Sequence, residues 1–171
     1  HIGGYATIAK QDNKVVGASF GFLGEYAAHR VLHSHVTAAS VPGVGFQLKQ
    51  HQFAWAQERE IAGITWTFDP LVRRNCVFNF EKLGALAVEY LPNFYGTMTD
   101  AINAGDDSDR LFAYWPVQES MSAETVNTSA IALKNQAGSP VPQSFDDTKA
   151  FWLELPEDIE SLRKTNLELA R

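Results

Sequence analysis

Residues 31–45 read VLHSHVTAASVPGVG, and they predict a strand, a glycine-containing turn and the start of a helix. Val31–Ala39 is the strand candidate, and Ser40–Gly45 is the turn. From Val44 the apolar residues recur at helical spacing until Gly63, which acts as a helix stop. Glycine lets the backbone come close to a ligand, and the free N–H groups of a first helical turn attract anions. The unit therefore predicts an anion site with phosphate as the natural ligand; the alternative is a tight turn that binds nothing.

The elements on either side of this unit predict a mixed α/β fold. A polar turn at Gln11–Lys14 joins two strands, and Ile64–Phe68 alternates strictly, as a strand does. Asp69 followed by Pro70 suits the N-cap and the first position of a helix. The predicted elements, in chain order, are a hairpin over 4–23, a strand over 31–39, a helix from 44, a strand over 64–68, a helix over 71–83 that ends at Gly84, a strand over 85–91, a helical patch near 98–103 and a strand over 111–117. This order predicts a mixed sheet with helices on its faces.

Composition and charge narrow the class of protein. The chain has 171 residues, 45% apolar and 20% charged, which is typical of a globular domain, and its length suits a single domain. A formal charge of −6 argues against general affinity for nucleic acid, whose phosphates need clustered Lys and Arg. No apolar run approaches the roughly 18 residues that cross a bilayer, so we expect no membrane partner. The one cysteine, Cys76, has no partner for an internal disulfide, which favours the cytoplasm.

Composition also divides the chain into three parts. Residues 1–118 carry the predicted sheet and helices as one domain. Residues 119–149 are rich in Ser, Thr, Asn, Gln and Pro and predict a polar loop or linker. Residues 150–171 predict a strand at Phe151–Leu155 and then an amphipathic helix. Because the chain opens on His1 and runs directly into strand-like sequence, we expect a start inside a larger protein or at a processed end.

Further motifs relate the chain to a known family. Residues 64–71 read ITWTFDPL, residues 75–85 read NCVFNFEKLGA, and residues 95–100 read YGTMTD. Together with Leu32–His35, these stretches resemble a subgroup of the GNAT superfamily of acyl-CoA-dependent N-acyltransferases. The turn at 40–45 resembles the family's pyrophosphate-binding turn, Q/R-x-x-G-x-G/A. Residues 75–85 resemble its second motif, in which an Asn and an Ala precede Tyr-Glu-Lys-x-Gly-Phe.

The resemblance, which covers residues 4–117, implies a fold, a co-substrate and a set of site residues. The implied fold is a splayed mixed sheet flanked by helices, without the family's first strand and first two helices. The implied co-substrate is acetyl-CoA or another acyl-CoA, the partner is a small primary amine, no metal is expected, and a homodimer is one assembly that we consider. The pyrophosphate would lie on the N–H groups of Gly43–Phe46, and the pantetheine arm along Thr37–Ala39. The implied CoA-binding residues are Thr37, Ala38, Ala39, Val41, Gly43, Val44, Gly45, Phe46, Asn75, Phe80 and Lys82.

Two residues depart from the family's pattern. Ser40 stands where the family has Gln or Arg, so one side-chain contact to phosphate is missing. Phe80 stands where the family has a Tyr that is implied to protonate the CoA thiolate, and phenylalanine has no proton to donate. Tyr90, Tyr95 and Cys76 are candidate replacement acids, and solvent is a further alternative.

His33 and His35 are the candidate catalytic bases. They alternate along one strand and therefore point to one face, next to the place where the resemblance puts the acyl group. An unperturbed imidazole pKa of about 6.5 suits a general base at neutral pH. We expect His35 to lead because it is nearer the turn; the alternative is that both are buried, hydrogen-bonded strand residues. Lys49, one turn into the helix, either meets the CoA phosphates or lies on a solvated helix face.

Three functions stay open at this point. The first is an N-acyltransferase in which a primary amine attacks the acyl-CoA thioester directly. The alternative is a non-catalytic acyl-CoA-binding or assembly module, which Phe80 and Ser40 suggest. The third is a structural domain that binds no nucleotide.

Overall fold

The computed structural model describes residues 3–96, 108–118, 130–136, 138–144 and 150–170. The predicted helical patch near 98–103 lies outside these ranges. The chain divides into two compact units. The first consists of the described residues within His1–Thr67, Ala85–Glu89 and Phe112–Met121, and the second of those within Phe68–Gly84, Tyr90–Leu111 and Ser122–Arg171. This division differs from the predicted boundary at residue 118.

The first unit is built on six strands and one long helix. Their bounds are β1 Gly4–Gln11, β2 Lys14–Tyr26, β3 His29–Ala39, α1 Val44–Gln57, β4 Gly63–Phe68, β5 Leu86–Leu91 and β6 Arg110–Pro116. The strands form one mixed sheet in the order β1-β2-β3-β4-β6-β5, in which the pairs β1–β2 and β2–β3 are antiparallel and β3 and β4 are parallel. The helix α1 follows β3 and packs against β1, β2 and β3. The predicted mixed sheet and the helix start at Val44 are confirmed. The expectation that the helix continues to Gly63 is wrong, because α1 ends at Gln57 in a turn where Glu60 has φ 53°, and Gly63 is the first residue of β4.

Two-residue turns close both hairpins of this sheet. Asp12 and Asn13 both have positive φ, as the polar turn there predicts, because short polar side chains tolerate the left-handed region. Ala27 and Ala28 form the second turn with φ values of 50° and 62°. The predicted hairpin over 4–23 and strand over 31–39 left this turn unassigned, since alanine carries no preference for positive φ. Here the pairing of β2 with β3 on both sides imposes the tight turn.

The core of the first unit lies between α1 and the sheet. Leu48 and Ala56 on α1 are buried, as are Leu32 on β3 and Ile64 on β4. Tyr5 on β1 is also buried, and its hydroxyl forms a 2.8 Å hydrogen bond with His51 Nδ1. This packing holds the N-terminal turn of α1 at the end of β3.

The helix in the second unit begins later than the sequence predicts. α2 is Arg73–Cys76 with Val72 as its N-cap, and it continues as a π-helix over Val77–Lys82. The predicted N-cap, Asp69, instead accepts the Leu71 N–H at 2.9 Å. Its other carboxylate oxygen accepts from Arg163 at 2.5 Å. The expectation of Asp69 as the N-cap is therefore wrong, because Asp69 is held by a turn and by an ion pair, and the helix begins two residues after the expected start at about Leu71.

The predicted polar linker over 119–149 contains two strands, β7 Ile131–Gln136 and β8 Ser139–Pro142. Together with β9 Trp152–Leu153 they form a three-stranded sheet in the order β8-β7-β9. The loop expectation is wrong for these strands, because they pair with each other and with β9 rather than standing alone. Two short helices follow, α3 Ile159–Thr165 and α4 Leu167–Ala170.

A small apolar cluster of Val72, Ile159 and Ala170, with Leu71 and Leu162 against it, forms the core of the second unit. An exposed ion pair between Arg74 and Glu160 joins α2 to α3 within the same unit. Among the described residues, no helix combines the length and the apolar composition that a membrane span requires.

Candidate functional site

The strands β3 and β4 pair over only three residues and then separate. The pairs are Val31 with Gly63, Leu32 with Ile64, and His33 with Thr65. β3 nevertheless continues to Ala39, and β4 runs on past Trp66. We use the name fork for the opening between Ser34–Ala39 of β3 and Trp66–Thr67 of β4. In the fork, the β3 backbone edge that faces away from β2 has no strand partner among the described residues.

A β-bulge at His35 lies at the entrance to the fork. Phe20 pairs with Val36 and Gly21 pairs with Ser34, so His35 is the extra residue. Gly21 is required opposite the bulge, because a Cβ there would lie 2.7 Å from the His33 carbonyl oxygen. Bulges bend a strand locally and redirect its side chains, and they are frequent beside functional sites. This bulge accompanies the departure of β3 from β4.

The glycine turn at the far end of β3 is open and uncapped. Gly43, the N-cap of α1, has φ 84° and makes no side-chain capping bond, and the first turn carries no acidic residue. The Val44 N–H donates to the Val41 carbonyl at 3.3 Å. The N–H groups of Gly45 and Phe46 have no acceptor within the helix. A Cβ on Gly45 would meet nothing within 4 Å, so the surface beside this residue is open, and free amides at a helix N-terminus favour anions.

His33 and His35 lie beside an aromatic group on β2. Their ring centroids are 6.4 Å apart, and Phe22 contacts both rings. His33 is half-buried, with Nδ1 3.2 Å from the Thr65 hydroxyl oxygen, whereas His35 is exposed. Burial, followed by the nearby charges of His35 and Lys49, lowers the pKa of His33. His33 is therefore a neutral imidazole at pH 7 that a neighbouring hydroxyl orients, and the expectation of a buried residue is wrong for His35.

Several solved structures of similar fold are acetyltransferases. An IAA acetyltransferase from Bacillus cereus is 15% identical, with 66% of this chain and 77% of that chain covered and a TM-score of 0.55. A GNAT family acetyltransferase from Elizabethkingia anophelis, solved with acetyl-CoA bound, is 14% identical over 66% and 76% at 0.55. The ribosomal-protein-S18-alanine N-acetyltransferase from Escherichia coli is 17% identical over 73% and 75% at 0.51. No protein-family model and no curated protein matches the sequence.

The chain has the GNAT fold. Its splayed sheet and flanking helix confirm the fold class that the sequence motifs predicted. At these identities the likeness is one of fold, so the roles of individual residues rest on the geometry of this chain.

Lys49 occupies an environment that the sequence did not predict. It was expected at a phosphate or on a solvated helix face, but only 6% of it is exposed. Its Nζ donates to Ser34 Oγ at 2.8 Å and to Gln52 Oε1 at 3.3 Å, and it lies 3.9 Å from the centroid of the Trp66 ring. Burial lowers the pKa of Lys49 to about 7. Lys49, Gln52 and Ala56 are spaced three and four residues apart, as on one face of a helix. This spacing is the signal in the sequence that could have indicated the burial of Lys49.

A polar network extends from Lys49 along the inner face of the sheet. Gln52 Nε2 donates to Ser19 Oγ at 3.4 Å. Ser19 Oγ in turn lies 2.7 Å from Thr37 Oγ1 and donates to the Val36 carbonyl at 3.3 Å. The side chain of Thr37 is thereby fixed at the start of the segment that was predicted to meet a pantetheine arm. Ala38 and Ala39 pair with β2 and are exposed.

The remaining predicted site residues belong to the second unit. Asn75 lies in α2 and Lys82 is exposed at the end of the π-helix, where Phe80 packs edge-on against Phe68 with centroids 5.6 Å apart. Of the candidate acids, Cys76 donates its thiol proton to the Pro70 carbonyl, and burial, followed by the charge of Asp69, raises its pKa. The Tyr90 hydroxyl donates to Asp109. Among the described residues, no cluster of His, Cys, Asp or Glu is arranged to hold a metal ion.

Proposed function

We propose that this chain is an acyl-CoA-dependent N-acyltransferase, which moves an acetyl or larger acyl group to a primary amine by direct attack. The observation that carries the proposal is the placement of an open fork and an uncapped glycine turn at the two ends of one strand segment, Ser34–Ala39. The solved structures of similar fold support it, because they are acetyltransferases and one of them was solved with acetyl-CoA bound.

The acyl-CoA would use backbone groups of the first unit. The pyrophosphate would accept hydrogen bonds from the N–H groups of Gly45 and Phe46, where the dipole of α1 adds a favourable charge. The unpaired edge of β3 at Thr37–Ala39 would pair with the amides of the pantetheine arm, as an added strand pairs with a sheet edge. The resemblance adds Val41 beside the turn as a further contact. The roles that it implied for Asn75, Phe80 and Lys82, which belong to the second unit, stay predictions.

The acyl transfer itself needs positioning and a base. The amine is mostly an ammonium at pH 7, so it must lose a proton before its lone pair attacks the thioester carbonyl and the C–S bond breaks. His33 is our first candidate for the base, because it is neutral at this pH and oriented by Thr65. His35 is the second, since it lies at the bulge and is exposed. The departing thiolate takes a proton from solvent or from another acid, because Phe80 has none.

A non-catalytic acyl-CoA-binding module is the second candidate function. Phe80 favours it, because the family's thiolate-protonating hydroxyl is absent at that position. Under this proposal the chain would bind CoA through the same turn and fork but would release no thiol.

The deciding experiment incubates the chain with acetyl-CoA and a pool of primary amines and follows free CoA thiol with time. A parallel reaction without amine measures hydrolysis, and mass spectrometry of the amines identifies the acylated product. Amine-dependent thiol release with a mass increase in one amine supports the transferase. CoA binding by calorimetry without thiol release supports the binding module, and no binding of either acetyl-CoA or CoA contradicts both.

A further inference from the structure

The Lys49 amine closes the inner side of the fork just beyond the last β3–β4 pair. That pair is His33 with Thr65, so the next residues along the two strands are Ser34 and Trp66. The Nζ of Lys49 contacts both, at 2.8 Å from Ser34 Oγ and 3.9 Å from the Trp66 ring centroid. One buried side chain therefore occupies the point where the backbone hydrogen bonds of the two strands stop.

The contacts of the amine are those of a cation without a counter-ion. The ammonium has three N–H donors, and here it faces two oxygen acceptors and the π-face of an indole. Within the described residues, no carboxylate forms an ion pair with it. A buried charge without an opposite charge is costly, so a nearby anion would favour the protonated form.

The glycine turn lies on the same helix as Lys49. Gly45 precedes Lys49 by four residues, which is roughly 6 Å along a helix axis. An anion on the Gly45 and Phe46 amides would therefore act on the ammonium through the protein interior, where the effective dielectric constant is well below that of water.

We propose that Lys49 is a positioning residue of the fork, which holds Ser34 and Trp66 in place and takes up a proton when CoA binds to the glycine turn. This inference rests on the proposed CoA site. It adds that CoA affinity is linked to pH through a residue that does not touch the acyl group.

The direction of the linkage follows from the charges. The pKa of Lys49 is about 7 in the free protein, and the CoA phosphates raise it. Between the free and the bound pKa, the complex holds one proton more than its components. CoA affinity is therefore highest below pH 7 and falls as the pH rises from the free to the bound pKa of Lys49. The total fall is about tenfold for each pH unit between these two pKa values.

Other groups that act on Lys49 come from its own helix and from three strands packed near it. Ser34 on β3, Gln52 on α1 and Trp66 on β4 contact it without titrating near pH 7. His33 on β3 is the titratable group whose charge interacts with that of Lys49. Ser19 on β2 reaches it through Gln52. His33 is therefore the residue to control for.

The first test uses the free protein. The ¹³Cε resonance of Lys49 is assigned by comparison with Lys49→Met and is followed from pH 5.5 to 10, together with tryptophan fluorescence. We expect a midpoint near 7 and a fluorescence step at the same pH that Lys49→Met lacks and Lys14→Met, which changes an exposed lysine, retains. No titration step below pH 9, as for an ordinary lysine with a pKa of about 10.4, would overturn the inference without reference to CoA.

The second test measures CoA binding by calorimetry at pH 8 in buffers that differ in ionisation enthalpy, which counts the protons taken up. At this pH the CoA phosphate monoester, with a pKa of about 6, is already ionised. The wild type, Lys14→Met and His33→Gln should take up a large fraction of one proton. Lys49→Gln, which keeps an N–H donor for Ser34 but does not titrate, should take up almost none.

The outcomes of the second test separate the two proposals. CoA binding without proton uptake by the wild type, or equal uptake by Lys49→Gln, would overturn the role of Lys49 while leaving the CoA site in place. Absence of CoA binding by the wild type at every pH would overturn the proposed function and this inference with it. If Lys49→Gln is poorly folded, the buffer series on the wild type and His33→Gln still decides, since a proton count near zero contradicts the inference.

Discussion

His33 and His35 illustrate how two identical side chains in one strand acquire different chemistry. His33 is half-buried against Thr65, and burial lowers its pKa, whereas His35 is exposed at a bulge. The sequence favoured His35 because of its distance along the chain from the turn. Orientation by Thr65 favours His33, and that partner becomes visible only when β4 lies beside β3.

His33→Gln should lower turnover with acetyl-CoA by roughly 10²-fold and leave CoA affinity within about twofold, because a general base contributes to the chemical step. The wild-type rate should rise with pH through the lowered His33 pKa, since only the neutral ring accepts a proton, and should lose this step in the variant. His35→Gln is the matched control. A larger loss in His35→Gln than in His33→Gln would reverse the assignment.

Phe80→Tyr tests the proton that the leaving thiolate needs. The substitution adds the hydroxyl that the resemblance places at this position, so turnover should stay equal or rise if thiolate protonation limits the rate. Steady-state thiol release with the best amine measures it, and Phe78→Tyr on the same π-helix is the control for an added hydroxyl. A fall in turnover of the folded Phe80→Tyr protein would contradict a hydroxyl at residue 80 as the proton donor to the thiolate.

At the scale of elements, the strand–turn–helix unit was predictable and the fork was not. Some thirty neighbouring residues encode the strand, the glycine with φ 84° that follows it, and the helical stripe that starts at Val44. A bulge opposite Gly21 and the side chain of Lys49 lie where β3 leaves β4, and both need partners from other elements. Local patterns therefore predict where the turn lies but not how wide the sheet opens.

Gly45→Val should weaken CoA by at least tenfold, or about 1.4 kcal/mol, because the added side chain occupies the space through which a phosphate reaches the backbone. Gly24→Val in β2 is the matched control, since a Cβ there also meets nothing within 4 Å and its φ is ordinary. Calorimetry with CoA measures both variants. Equal CoA affinity of the folded Gly45→Val and Gly24→Val proteins would contradict a phosphate site at this turn.

For the whole molecule, the buried Lys49 predicts how stability depends on pH. Its pKa is about 7 when folded and about 10.4 when unfolded, so the unfolded chain binds more protons in the interval between. The free energy of unfolding should therefore rise with pH above 7, by up to about 1.4 kcal/mol per pH unit. Below pH 7 both states hold the proton, and Lys49 adds no pH dependence.

Urea unfolding at pH 7, 8 and 9, followed by tryptophan fluorescence, measures this rise. Three of the four tryptophans, Trp55, Trp66 and Trp115, belong to the first unit, so the signal reports the unit that contains Lys49. Lys49→Met should lose the rise and Lys14→Met should keep it. The lowered pKa of His33 changes the free energy of unfolding at lower pH, and the raised pKa of Tyr5, about 12, changes it at higher pH. Neither residue therefore accounts for a rise between pH 7 and 9. A flat profile for the wild type would contradict the prediction.

The second unit contains strands that the composition of residues 119–149 did not indicate. Residues 119–149 are polar, as linkers are, yet Ile131–Gln136 and Ser139–Pro142 pair with each other in a small sheet. Short strands with few apolar residues carry little periodic signal, and their partner β9 lies further along the chain. The predicted N-cap at Asp69 is wrong for a related reason, because Arg163, far along the chain, holds the carboxylate that would otherwise cap the helix.

The sequence by itself determined the order of the elements in the first unit, the turn at Asp12 and Asn13 and the glycine turn before α1. Each depends on residues that are neighbours along the chain, where backbone preference and side-chain spacing act directly. Only the tertiary structure decided that Lys49 is buried, that His33 rather than His35 is oriented, and that β3 and β4 part after three pairs. These features depend on Ser34, Thr65 and Trp66, which different strands bring together, and burial sets the protonation of Lys49 and His33 only after that packing has formed.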